Sequence, residues 1–123
     1  MKKVMIVVDS PAVLVEMSEV LEQHNLEPNS AKDVEEALAL LENDLKPELI
    51  IVDSDMLGKD TAGFVQQVRA IIGLHFTPIL ILDADWQRVE NGADQSDPSV
   101  RWLGKPLQGE QLLQQVRRYL PGV

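Results

Sequence analysis

Cysteine is absent from this chain of 123 residues, and aromatic residues make up only 4% of it. Without cysteine the fold has no disulfide and no thiolate metal site. Positive charge is also scarce, since 11 lysines and arginines face 20 aspartates and glutamates, giving a net charge of −9 at pH 7. Because an acidic chain repels phosphate backbones, we expect no direct binding to DNA or RNA.

Long apolar stretches are missing as well. The apolar run Val4–Val8 follows a basic start but is far shorter than the roughly 20 residues of a membrane-spanning helix. No small-residue cleavage site follows it, so we interpret it as a buried strand and not as a secretion signal. We therefore expect a cytoplasmic protein without membrane contact. The length and the 45% hydrophobic content suit one domain over residues 1–123.

Short aliphatic runs alternate along the chain with stretches of helical periodicity. The strands are predicted at Val4–Val8, Glu27–Ser30, Leu49–Val52, Ile79–Leu82 and Val100–Leu103. The helices are predicted at 11–24, 33–43, 61–72, 86–90 and 110–120. Pro28 restricts the second strand to a sheet edge. This alternation predicts an α/β fold, a parallel sheet with helices on both faces.

Local signals indicate where the helices begin and which sides are buried. Pro11 suits a first helical turn, and Asp33 and Glu36 have capping-box spacing. The apolar positions of the first helix include Val13. In the third helix the spacing predicts an inward side made of Phe64, Val65, Val68 and Ile72.

Acidic residues follow three of the predicted strands, and a lysine follows the last. These segments are Asp9-Ser10, Asp53-Ser54-Asp55, Asp83-Ala84-Asp85 and Lys105-Pro106. The carboxyl ends of parallel strands meet at one edge, so these groups are expected to converge. Two carboxylates about 5 Å apart repel by about 3 kcal/mol at an effective dielectric near 20. A hard cation such as Mg²⁺ is the natural counter-ion.

A carboxylate beside Mg²⁺ and a lysine can attack a phosphoryl group and form an aspartyl phosphate. Each acid alone has a simpler interpretation as a helix cap, which we prefer for Asp83 and Asp85 taken singly. The convergence of Asp9, Asp53 and Lys105 instead favours a functional site.

Four segments together resemble the receiver domain of bacterial two-component response regulators, over nearly the whole chain. They are VMIVVDS, AKDVEEALALLENDLKPELIIVDSDM, TPILILDA and WLGKPLQGEQLLQQVRRYL. The resemblance implies a flavodoxin-like (βα)5 doubly wound fold with strand order 2-1-3-4-5. It also implies a phosphorelay, in which a sensor histidine kinase or a phosphotransfer protein supplies the phosphoryl group. The output is then contact with an unidentified downstream protein.

The resemblance also assigns roles to individual residues. It implies Asp53 as the phosphoacceptor and Lys105 as the phosphate contact, with a cis bond between Lys105 and Pro106. It implies a magnesium site made of Asp9, Asp53 and the backbone carbonyl of Asp55. Such a domain is not an enzyme beyond self-phosphorylation and self-dephosphorylation.

Three positions bear on how the switch works. Ser10 stands where the family usually has a second acid, and a hydroxyl is a poorer magnesium ligand. Asp83 stands where the family has the threonine or serine that bonds the phosphate, and a carboxylate there repels a phosphoryl group. Trp102 lies at the family's aromatic switch position, although packing of the strand explains a tryptophan there equally well.

Two alternatives follow. If Asp83 pairs with Lys105, the site is held in one state and the chain is a pseudo-receiver, an interaction module that works without phosphorylation. The other alternative is a small phosphatase of the haloacid dehalogenase type, with Asp53 as nucleophile and Asp55 as general acid. That motif normally continues Gly-Thr, where this chain has Met56-Leu57.

Overall fold

One parallel sheet organises the structure, with its strands in the order β2-β1-β3-β4-β5. The computed structural model describes residues 1–58, 60–91, 97–107 and 109–123. The strands are β1 (Lys2–Val7), β2 (Leu26–Ala31), β3 (Leu49–Asp53), β4 (Ile79–Asp83) and β5 (Val100–Gly104). The helices are α1 (Pro11–Gln23), α2 (Val34–Glu42), α3 (Thr61–Arg69), α4 (Trp86–Asn91) and α5 (Gly109–Tyr119). A 3₁₀ turn, Ser54–Leu57, follows β3. The predicted fold and strand order are confirmed.

The core lies on both faces of the sheet. Every residue of β3 and β4 is buried, as expected for aliphatic strands covered on both sides. On one face α1 and α5 contribute Met17, Leu21, Leu112 and Val116, and Leu120 packs there just after α5. On the other face α2 and α3 contribute Ala37, Leu41, Phe64, Val65 and Val68. This double cover leaves the carboxyl ends of the strands as the open edge.

The sheet edge at β2 agrees with the prediction from Pro28. The strand pairs with β1 in parallel from Lys2↔Leu26 to Val7↔Ala31. This pairing begins at Lys2, so β1 starts earlier than the predicted Val4–Val8 and ends one residue sooner. Only the first and last residues of β2 are buried, because its middle faces solvent at the edge.

The helix starts also follow the sequence signals. Pro11 is the first residue of α1, and the Asp33 side chain accepts a 2.8 Å hydrogen bond from the backbone N–H of Glu36 at the start of α2. The helices described here contain 6 to 13 residues. Within the described ranges, none is long and apolar enough to cross a membrane.

The end of α3 differs from the prediction. The helix ends at Arg69, and Ile72, predicted to face inward, is 83% exposed. Gly73 adopts a positive φ of 91°, which turns the chain away from the helix axis. The Arg69 guanidinium donates to the carbonyls of Leu74 and Thr77 at 2.9 and 2.7 Å, which fixes this turn. The apolar spacing in the sequence extends to Ile72, but the contacts of the Arg69 side chain end the helix at Arg69.

Candidate functional site

Asp53 is the last residue of β3, at the carboxyl edge of the sheet, and it is only 8% exposed. The Lys105 ammonium lies 3.0 Å from its Oδ1 and 2.9 Å from its Oδ2. The backbone N–H of Asp55 also donates to Oδ1, at 2.9 Å. The predicted cis bond between Lys105 and Pro106 is present. Asp53 and Lys105, which are 52 residues apart in the sequence, thus form an ion pair.

Lys105 serves two acids at once. Besides Asp53, its Nζ donates to Oδ2 of Asp55 at 3.1 Å, although the Asp55 side chain is 76% exposed. Burial works to lower the pKa of Lys105, but the hydrogen bonds and charges of Asp53 and Asp55 outweigh it and raise the pKa above its ordinary value. The ammonium therefore keeps its charge throughout the physiological pH range.

Asp83 is the last residue of β4, next to the Asp53–Lys105 pair. At 5% exposure it is more deeply buried than Asp53. Its Oδ2 accepts from the Ser54 hydroxyl at 2.8 Å, and its Oδ1 accepts from the backbone N–H of Asp85 at 2.8 Å. An Arg88 guanidinium nitrogen lies 3.2 Å from Oδ2. Burial would raise the pKa of Asp83, but these hydrogen bonds, with the charges of Arg88 and Lys105, lower it below 3.8. Asp83 is therefore a charged carboxylate at neutral pH.

The ion pair between Asp83 and Lys105, which the pseudo-receiver hypothesis invoked, is not found among the described residues. Lys105 is held by Asp53 and Asp55, while the ion-pair partner of Asp83 is Arg88. The reason is the path of the chain after β4. A short helix begins at Trp86 and brings Arg88 back over the strand end. Asp85, preferred as a cap, does accept from the backbone N–H of Gln87 at 2.9 Å.

Arg88 also connects the site to the core. Its guanidinium carbon lies 5.3 Å from the centroid of the Trp102 ring, within the range of a cation–π contact. Trp102 is 7% exposed and packs in the core on the α2–α3 face, so the packing interpretation of this tryptophan is supported. Its indole N–H has no hydrogen-bond partner among the residues that the structure describes. Sequence reasoning missed Arg88, whose only signal was its place in the helix after Asp83.

Asp9 and Ser10 lie in the segment that follows the neighbouring strand β1. Asp9 is exposed and lines a cavity of about 290 Å³, whereas Asp53 and Lys105 line an adjacent cavity of about 160 Å³. Ser10 borders both cavities, and its hydroxyl caps α1 by accepting from the backbone N–H of Val13 at 3.4 Å. Val13, one of the apolar positions of α1, is 37% exposed and lines the smaller cavity.

The carboxylates at this edge can be compared with the ligands that a magnesium ion requires. Among the residues that the structure describes, no group of three or more His, Cys, Asp or Glu side chains could hold a metal ion. Magnesium keeps several waters and binds through one or two carboxylates. Asp53, the last residue of β3, and Asp9, two residues beyond the paired strand β1, match that number of carboxylates, and they line adjacent cavities.

The structure is similar to solved response regulators. Chemotaxis response regulator CheY4 of Vibrio cholerae is 32% identical, with a TM-score of 0.84 over 98% of this chain and 99% of that one. A putative response regulator from Chloroflexus aurantiacus is 26% identical, with a TM-score of 0.80 over 97% of each chain. The receiver domain of the hybrid histidine kinase CckA, 24% identical, shares the fold at a TM-score of 0.76. Neither a protein-family model nor a curated protein sequence matches the chain.

Proposed function

Since this chain belongs to the receiver-domain family of two-component response regulators, we propose that it accepts a phosphoryl group on the Asp53 carboxylate. The observation that supports this most is the Asp53–Lys105 pair, a poorly exposed carboxylate with an ammonium 2.9 and 3.0 Å from its two oxygens. We propose a sensor histidine kinase or a phosphotransfer protein as donor, the partner kind that family membership supports. The domain spans residues 1–123, acts in the cytoplasm and signals through protein contacts.

The proposed transfer uses groups already at the site. An Asp53 oxygen attacks the phosphorus of the donor, the bond from phosphorus to the leaving group breaks, and the leaving group departs with its electron pair. The Lys105 ammonium then moves from the attacking oxygen to the transferred phosphoryl oxygens, whose charge it offsets. Asp55 holds the other side of the ammonium and so orients it.

Magnesium is the cofactor we propose, with Asp9, Asp53 and the Asp55 carbonyl as its protein ligands. When bound, the ion supplies positive charge to the phosphoryl oxygens. Ser10 contributes one hydroxyl where a second carboxylate would bind more strongly, so we expect weak binding that requires high Mg²⁺ concentrations.

The test is the intact mass of the protein after incubation with Mg²⁺ and a small acyl phosphate. The wild type should gain one phosphoryl group, and Asp53→Asn should gain none. Asp44→Asn is the matched control, since it removes an exposed carboxylate in the turn after α2 and leaves the acceptor and its partners in place. The proposal fails if the wild type stays unmodified at saturating Mg²⁺, or if Asp53→Asn is modified equally.

A second candidate is the pseudo-receiver, and the buried charge of Asp83 favours it. A carboxylate at 5% exposure, held by Ser54 and Arg88, places fixed negative charge beside the acceptor. On this alternative the wild type gains no phosphate, and Asp83→Thr restores the gain. The phosphatase alternative would need Asp55 as its general acid, and the Asp55 carboxylate is ion-paired with Lys105.

A further inference from the structure

Lys105 does not offset all of the negative charge at the proposed acceptor site. Asp53 pairs in register with Leu82, so Asp83 follows one residue further along the adjacent strand. Ser54, the residue after Asp53, donates its hydroxyl directly to Asp83. A phosphoryl group on Asp53 would therefore form within one residue of a second buried negative charge. The Lys105 ammonium is already shared between Asp53 and Asp55.

Arg88 is the cation in contact with Asp83 among the residues described. The Trp102 ring lies under its guanidinium at 5.3 Å. A planar guanidinium stacks on an aromatic face while its nitrogens remain free to donate in the plane. Trp102 is thus a support that keeps the positive charge over the Asp83 carboxylate.

Little in the structure gives Arg88 a role in folding. Its side chain is 45% exposed, and α4 has six residues, none of them buried. Its contact with Asp83 is a single one of 3.2 Å. An arginine held so loosely is available to shift toward new negative charge at the site.

We propose that Arg88 is a positioning residue for phosphoryl transfer to Asp53. It offsets the charge of Asp83, so a carboxylate at this position does not exclude the phosphoryl group. The inference rests on the proposed function of Asp53. It adds that Asp83 and Arg88 work as a unit, in which the arginine is needed only because the carboxylate is there.

The test is a double-substitution cycle on the initial rate of phosphate gain from a small acyl phosphate at saturating Mg²⁺. Arg88→Gln should lower the rate about tenfold, the effect of one uncompensated charge at short range in a partly screened site. Arg88→Lys, which keeps the charge, should retain most of the rate. In an Asp83→Thr background, Arg88→Gln should change the rate less than about twofold, because interacting sites are non-additive.

The outcomes separate the alternatives. An unchanged rate in Arg88→Gln overturns the proposal. An equal loss with and without Asp83 also overturns it, since Arg88 would then act on the donor directly. Arg88→Lys as slow as Arg88→Gln would show that shape and not charge matters, which contradicts it too. Unfolding curves of every variant confirm that each is folded.

A second readout keeps this inference distinct from the proposed function. Binding of inorganic phosphate is followed by Trp102 fluorescence, with the exposed Trp86 replaced by phenylalanine. Arg88→Gln should weaken binding about tenfold on the same charge argument, and the effect should disappear in Asp83→Thr. If the wild type gains no covalent phosphate but this pattern holds, the proposed function fails, whereas the charge compensation of Asp83 by Arg88 stands. Equal phosphate affinity in wild type and Arg88→Gln overturns that role.

Discussion

Two arginine–aspartate pairs lie at opposite ends of the sheet, and they are built differently. At the amino ends of β4 and β5, Arg69 makes hydrogen bonds of 2.8 Å to Asp97, 2.9 Å to Leu74 O, 2.7 Å to Thr77 O and 3.2 Å to Ser99. Its side chain is 16% exposed. At the carboxyl ends, Arg88 has an ionic contact of 3.2 Å with Asp83 and lies 5.3 Å from the Trp102 ring centroid, and its side chain is 45% exposed.

The difference between the two pairs indicates that Arg69 contributes mainly to stability, whereas the role we propose for Arg88 is at the acceptor site. Arg69 connects the end of α3 to β4 and to the turn before β5, so its removal leaves buried acceptors unpaired. Substitution of Arg88 should disturb packing little. It would, however, leave the buried Asp83 carboxylate without its ion-pair partner, beside the proposed acceptor Asp53. We therefore expect Arg69 to govern unfolding and Arg88 to govern phosphoryl transfer.

The largest expected effect comes from breaking the Arg69 pair. Arg69→Met should lower the free energy of unfolding by about 3 kcal/mol, because the partly buried Asp97 loses its ion-pair partner and the carbonyls of Leu74 and Thr77 lose their side-chain donor. The measurement is urea unfolding at pH 7. Arg88→Met is the matched control at the other end of the sheet. Equal losses in the two variants would contradict the division of roles.

A smaller effect, with a defined pH dependence, is expected from Asp97→Asn. Burial would raise the pKa of Asp97, but hydrogen bonds from Arg69 and Ser99 and the charge of Arg69 lower it below 3.8. A carboxyl with a lowered folded-state pKa stabilises the fold above its unfolded-state pKa and loses that contribution as the pH falls through the folded-state value.

The variant should therefore be less stable than the wild type by about 1–2 kcal/mol at pH 7. Denaturant unfolding measured from pH 7 to pH 2 should show this difference in the free energy of unfolding becoming smaller as the pH falls below 3.8. In an Arg69→Met background the same substitution should cost much less, since the two groups act on each other. A pH-independent difference would mean that the ionised form of Asp97 contributes nothing.

The smallest effect on stability is expected from Arg88→Met itself. A half-exposed guanidinium with one ionic contact should contribute less than about 1 kcal/mol to unfolding, and less still at high salt. Urea unfolding at low and high sodium chloride measures both. A loss as large as that of Arg69→Met would place Arg88 in the folding core and sharply weaken its proposed role at the acceptor.

Much of this architecture could be predicted from the sequence, because it depends on local patterns. Aliphatic runs located the strands, and the acids after those runs located the edge where Asp53 and Lys105 meet. The partners of Arg69 and Arg88 could not be found in this way. Both depend on where a side chain reaches across space, and no periodicity records that. The same limit explains the error at Ile72, because contacts from Arg69 stop α3 before the apolar pattern ends.

The most direct test of Asp53 as acceptor is to locate the phosphoryl group. Borohydride reduces an acyl phosphate to the alcohol, so a phosphorylated aspartate becomes homoserine and peptide mass spectrometry identifies its position. After incubation with Mg²⁺ and a small acyl phosphate, we predict homoserine at position 53 alone. Homoserine at Asp55 or Asp83, or none in a protein that has gained phosphate, would contradict the assignment of Asp53.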